Sequence, residues 1–281
     1  MLKEGEAVTG WAGLRWLGGT WFDGTIDGVR HRPVTVVAKR NVRARPGFEV
    51  SQEFLHPNQI EVVDALAITM AVTSVTYEMR YADGLGAAVE ALDMACYSDL
   101  VSIAEATAYV EQLGPVTGIQ QARDALLEAD ENSWSPRETR MRGVWTRRAG
   151  LPGPRCNVPV FTLDGTHVGT PDLIDARTGL VGLYHGDSHL SLVWASKDNR
   201  QDADFRRLGL EPVAMFATDW NDLAGLTQRL LEAAARARSR GGARAWTLDP
   251  PARWTPTHTV DLRRALTDRQ RQRYLRYRRA A

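Results

Sequence analysis

Between Ser135 and Pro154 the chain specifies a helix and then forbids its continuation, and this punctuation orders everything that follows. In "SPRE", Ser135 stands as N-cap, Pro136 at the first helical position and Glu138 at the capping-box position. The predicted helix runs to Gly150, because Pro152 and Pro154 lack the N–H and the φ freedom to extend it. "NVPVFTLDGTHVGTPDLID" then reads as two strands joined through Asp164-Gly165, a pair suited to a tight hairpin. "LVGLY" makes a third, continuously apolar strand after the turn "ARTG". A helix from about Ala195 to Leu208 follows, then the strand "PVAMF" and a helix from Asn221 to Arg238 opened by Thr218 or Asp219. The order is helix, three strands, helix, strand.

The upstream part is differently organised. "GWAGLRWLGG" has the form of a short helix closed by glycines, and "RPVTVVAKR" and "GFEVSQEFL" have strand patterning. After "IEVVDALAIT", helical periodicity recurs around Val72 to Tyr81, Leu85 to Tyr97, Ile103 to Leu113 and Ile119 to Ala129. A length of 281 residues exceeds one average domain. The expected division is an α+β N-terminal domain over 1–130, a second α/β domain over 131–240 set off by the polar "EADENSWSP", and a basic C-terminal tail over 241–281.

Composition narrows the class. A formal net charge of +1 argues against a uniformly basic nucleic-acid binder. The only cysteines, Cys96 and Cys156, are too few for a Cys-rich zinc module or a secreted disulfide framework and suit a reducing interior. The start "MLKEGEAVTG" carries acidic residues where a signal peptide has its apolar core, and no apolar run is long enough to span a bilayer. A cytoplasmic protein without a membrane partner is expected; the oligomeric state is not legible.

The segments "SPRETRMR", "GLPGPRCNVPV", "GTPDLID", "VGLYHGDSH" and "KDNRQDADFRRLGLEPVAMFATD" resemble the restriction-endonuclease-like, or PD-(D/E)XK, nuclease superfamily, whose common core has the order αβββαβ. The likeness is to the branch related to the very short patch repair endonuclease. The whole-chain layout resembles actinobacterial AbiEi-type antitoxin and endonuclease-domain proteins. The resemblance implies a restriction-endonuclease-like domain over 131–240 acting on DNA with Mg²⁺. It also implies a metal ligand at Asp172 in "PDLID" and roles for His185 and His189 in assisting the attacking water and the leaving group. Many relatives carry an acidic residue at the end of the third strand, where this chain has Leu183.

The residue chemistry fits such a site. Phosphodiester hydrolysis needs a water in line with the leaving oxygen and neutralisation of charge on the phosphoryl group. Mg²⁺ prefers oxygen ligands and keeps several waters, so Asp172 with Glu138 can suffice as protein carboxylates. Glu138, Met141 and Trp145 share one helix face, so Glu138 either completes the capping box or leans toward the sheet. A neutral imidazole accepts a proton from water and its protonated form holds a phosphate, roles open to His185 and His189. Each also reads as an ordinary loop residue, and Asp175 as a turn residue. A hydrolase built on Ser188, His189 and Asp187 is disfavoured, because neighbours in one loop do not form a relay and no G-x-S-x-G elbow is present.

Basic residues give the nucleic-acid candidates. Lys197 and Arg200 lie about one turn apart on the predicted helix and either contact phosphates or form a solvated face. From Arg263 to Arg279 eight Arg stand against the single acid Asp268, with Tyr274 and Tyr277 between them. Arg271, Arg273 and Arg276 there suit a phosphate backbone, the alternative being a solvated terminal helix. Two functions follow: a Mg²⁺-dependent nuclease using Asp172 with two His, or a catalytically silent nucleic-acid-binding regulator, antitoxin-like or of phage defence, on the same fold.

Overall fold

The computed structural model describes residues 2–26, 29–38, 45–185 and 201–279. The fold is mixed α/β and divides into two units, one of residues 1–136 with 259–271, the other of residues 137–258 with 272–281.

The first unit begins with β1 (Ala7–Thr9), α1 (Gly10–Trp16), β2 (Val34–Val37), β3 (Phe48–Ser51), β4 (Ile60–Val63) and β5 (Leu66–Thr69). Their sheet has the order β3-β2-β1-β5-β4, with β1 antiparallel to β2 and parallel to β5. The β4-β5 hairpin turns at Asp64 and Ala65, both at positive φ (49° and 63°), the backbone demanded by a two-residue turn that matches strand twist. The predicted helices follow as α2 (Ala71–Tyr81), α3 (Leu85–Tyr97), α4 (Ile103–Gln112) and α5 (Ile119–Glu128). Ser102 caps α4 in a reciprocal capping box with Glu105. Val75, Met79, Leu92 and Val110 from these helices meet in one core with Leu14 of α1.

The second unit holds α6 (Pro136–Gly143), which passes into a π-helical turn over Val144–Arg148 and ends near the expected place. Strands β6 (Arg155–Cys156), β7 (Val160–Thr162), β8 (His167–Gly169), β9 (Leu173–Ile174) and β10 (Leu180–His185) come next. Helical residues 201–207 (α7), β11 (Glu211–Phe216), α8 (Leu223–Ser239) and β12 (Trp246–Thr247) complete it. Asp164-Gly165 does turn a β7-β8 hairpin, with Gly165 at φ +83°. The hairpin is not where the sequence reading put it, however. It forms a separate sheet of order β12-β7-β8, while β10 is flanked by β9 and β11 in a sheet of order β11-β10-β9-β6. The two-residue β9 and β6 thus follow β10 on one side, antiparallel along β6-β9-β10, and β11 lies parallel to β10 on the other. The last helix is capped by Asp222, whose Oδ1 accepts from Gly225 N at 2.9 Å, rather than by Thr218 or Asp219.

Strand β10 is apolar and buried from Leu180 to Leu183 because both its faces are covered there. Leu180 joins Met141, Trp145 and Leu226 on one side; Val181 and Leu183 join Ile174, Phe205 and Trp246 on the other. Gly182 leaves room where α6 crosses: a Cβ there would lie 2.4 Å from Met141 Cε, so the tip of that side chain would have to move.

The basic tail is not one separate element. Its residues 259–271 belong to the first unit, with α9 (Val260–Arg264) and the start of α10 (Asp268–Tyr274). Val260 is in that unit's core, and Arg263 is fully buried against Asp99 Oδ1 at 2.6 Å and the Cys96 carbonyl at 2.7 Å. Among the described residues no helix is long and apolar enough to cross a membrane.

Candidate functional site

Of the sequence-marked residues, Asp172, Glu138 and His185 lie at one end of the β11-β10-β9-β6 sheet. Asp172 stands immediately before β9, and its Oδ2 accepts the backbone N–H of Tyr184 on β10 at 2.5 Å. The carboxylate thereby continues the β9-β10 ladder where its backbone partners run out. Asn157, directly after β6, donates its backbone N–H to the Asp172 carbonyl at 3.0 Å and its Nδ2 to Glu138 Oε2 at 2.6 Å. Asn157 has φ 49°, a left-handed conformation that Asn tolerates better than most residues. Glu138 is 8% exposed and shares its helix face with fully buried Met141 and Trp145, so it leans inward as its phase allows. Glu138, Asn157 and Asp172 form one network.

His185 ends β10 directly after the N–H held by Asp172. Its ring stacks on Phe216 of β11, the residue paired with it in register, at 5.4 Å between centroids and 26° between planes. Leu183 is 8% exposed and packed in the core. Asp175 behaves as a turn residue, its carboxylate accepting from Arg177 N at 2.9 Å and Thr178 Oγ1 at 2.6 Å. His189, Lys197 and Arg200 lie outside the described residues, as do Asp187 and Ser188.

The arrangement yields two acids, Asp172 and Glu138, each with an oxygen already accepting a protein N–H. Among the described residues no group of three or more His, Cys, Asp or Glu is placed to hold a metal ion. These described side chains make a strand end held by hydrogen bonds, with an exposed cation beside it. That cation is Arg137, exposed on α6, whose Nη1 donates to the Tyr184 hydroxyl at 3.0 Å with the guanidinium 5.7 Å from the ring centroid. The sequence offers a backbone carbonyl near Tyr184 as a metal ligand but does not reveal Arg137, Asn157 or the part played by the Tyr184 hydroxyl. The readable signal for Arg137 was its place one residue before Glu138 in a strong helix start.

Of the tail candidates, Arg273 and Arg276 are exposed. Arg271 is engaged inside the first unit, its Nη2 on Asp99 Oδ2 at 2.8 Å and its Nη1 on the Arg263 carbonyl at 2.7 Å. Charge is divided between the units. The second carries 21 Lys and Arg against 13 Asp and Glu, net +8; the first carries 14 against 21, net −7. The overall value of +1 conceals this split.

Comparison with protein-family models, with curated proteins and with solved structures found no match in any of the three.

Proposed function

We propose that the second unit binds a DNA backbone and that its nuclease-like core is a binding platform rather than a hydrolase, in keeping with an antitoxin-like or phage-defence regulator of the cytoplasm. The observation that carries this reading is the division of charge, which gives the second unit a net +8. A basic domain draws the phosphate backbone by counterion release, and binding so driven weakens steeply with salt. Exposed Arg137, steadied by half-buried Tyr184, and exposed Arg273 and Arg276 are the groups assigned to that contact. Leu183 supports the absence of cleavage, since an apolar side chain packed in the core offers no acid to a metal or a water. Asp172 and Glu138 then serve to hold strand ends.

The nuclease reading keeps one observation in its favour: the Asp172 carboxylate holds the N–H of the residue before His185. In that reading Mg²⁺ would supply charge neutralisation at the phosphoryl group, Asp172 and Glu138 would be its described ligands, and His185 would accept the proton of the attacking water. Fluorescence anisotropy of a short labelled duplex across a salt series tests the preferred reading. Arg137→Ala is expected to weaken binding about three- to tenfold and to flatten the salt slope by about one. Absence of salt-sensitive binding refutes it.

A further inference from the structure

The first unit contains a cavity of about 900 Å³ that the DNA-binding reading does not use. One wall is edge strand β3 with the segment after it, another is α2, and the third is the end of α4 with the loop to Thr117. Helix α2 faces the apolar core with Val75 and Met79, as an amphipathic helix should. Its other stripe, Thr73, Thr76, Tyr77 and Arg80 at i, i+3, i+4 and i+7, is polar and aromatic, and it lines the cavity. Thr73 and Arg80 are buried, and Thr76 is 1% exposed. A polar stripe withdrawn from water without facing a core is costly unless something else occupies the space beside it.

Thr76 sharpens the point. Helical Thr146 and Thr227 turn their hydroxyls back to the carbonyl one turn earlier, at 2.9 and 2.6 Å. Thr76 Oγ1 does not, and meets no hydrogen-bond partner among the described residues. Arg80, by contrast, is spent on the walls. Its two terminal nitrogens bind Glu53 at 2.8 and 2.6 Å and its Nε the Thr117 carbonyl at 2.6 Å, so it staples three segments and is not open to an anion. Glu53 also takes the Tyr81 hydroxyl at 2.5 Å. The remaining carboxylate of the lining is that of exposed Glu49, which receives the Thr35 hydroxyl.

We propose that this cavity binds a small organic cation: an ammonium, amidinium or guanidinium head on a flat or apolar body. With Glu53 neutralised by Arg80, Glu49 leaves the lining one negative charge in a unit of net −7. The rings of Tyr77, Tyr81 and Tyr109 supply faces that attract a cation, and Tyr77 and Tyr81 already pair at 4.6 Å. Burial, with Glu49 close by, raises the Tyr77 phenol, and burial with the Glu53 bond pushes Tyr81 up to about 12, so both rings stay neutral aromatic faces. Thr76 offers its hydroxyl oxygen to an N–H of the head group.

Calorimetric titration of the full chain with benzamidine, benzamide and benzoate tests the inference, because the three share shape and differ in charge. Saturable benzamidine binding is expected, with benzamide about tenfold weaker and benzoate silent. Glu49→Gln is expected to weaken benzamidine about fivefold and Thr76→Val about three- to tenfold, circular dichroism reporting that each variant is folded. Benzoate binding as tightly as benzamidine, no saturable benzamidine binding, or unchanged affinity in folded Glu49→Gln overturns it. None of these outcomes bears on DNA binding.

Discussion

Placing an acid at position 183 is the perturbation that probes the second unit most sharply. Leu183 is 8% exposed and packs with Ile174, Val181, Phe205 and Trp246. Truncation to Ala removes buried methyl groups and leaves a cavity, a change that costs about 2–5 kcal/mol in well-packed cores. Two residues from the end of β10, with room for relaxation, the low end of about 2–3 kcal/mol is expected. Leu183→Asp loses the same contacts and adds a carboxyl without a partner, about 1–3 kcal/mol more, for a total of about 3–6 kcal/mol. That is a large share of the about 5–15 kcal/mol that keeps an ordinary domain folded. The penalty also has a pH signature. Burial raises the folded pKa of the new acid above its unfolded value, so the unfolded chain ionises first and the penalty grows as pH rises from about 4. Urea denaturation followed by circular dichroism at pH 5 and pH 7, with Leu183→Met as a volume-matched control expected to cost less than about 1.5 kcal/mol, measures both effects. A Leu183→Asp penalty below about 0.5 kcal/mol at pH 7 refutes the argument, because it would mean that the position can hold a hydrated acid.

Three further perturbations follow from named contacts. Asp99→Ala strips the buried Arg263 guanidinium of its carboxylate and is expected to cost about 3–5 kcal/mol by thermal or urea denaturation, whereas Asp99→Asn, which keeps an acceptor and tolerates the positive φ of 57°, costs less. Asp172→Ala leaves the Tyr184 N–H without its acceptor and is expected to cost about 1–3 kcal/mol, Asp172→Asn about 1 kcal/mol or less; equal stability of all three proteins would contradict the ladder role. Partial desolvation of exposed His167 beside Phe161 and Trp254 lowers its pKa below the ordinary 6.5, so the unfolded chain takes up a proton first and stability falls as pH drops below about 6.5. His167→Gln is expected to flatten that part of the urea midpoint-versus-pH profile, and an unchanged profile would contradict it.

The long, periodic elements were readable and the short, non-local ones were not. Helices α2 to α5 fall within a residue or two of their predicted ends, because each carries a full apolar stripe and a clear break. The Asp164-Gly165 hairpin was equally plain as a local turn. Its sheet was not: β7 pairs with β12, over eighty residues later, and turn chemistry says nothing of such a partner. Strands β6 and β9 have two residues each, too few to show a period, so the antiparallel side of β10 left no pattern, whereas its parallel neighbour β11 was readable as "PVAMF". At the site, Asp172 and Glu138 were marked by motif and helix phase, and they do share a network. Asn157, which joins them, was invisible because its role comes from a left-handed backbone beside β6 rather than from a motif. In the tail, arginine content suggested a uniform basic face, yet Arg263 and Arg271 are drawn to Asp99, an acid in a turn more than 160 residues earlier. The α2 stripe of Thr73, Thr76, Tyr77 and Arg80 was present at helical spacing but masked by the stronger apolar stripe beside it.

Incubation of wild type and Asp172→Ala with labelled DNA and Mg²⁺, with binding and cleavage read from the same samples, tests the central claim most directly. Salt-sensitive binding by both proteins, within about threefold of each other, and cleavage by neither are expected. Mg²⁺-dependent cleavage by the wild type that Asp172→Ala abolishes would contradict it and make the strand end a catalytic centre.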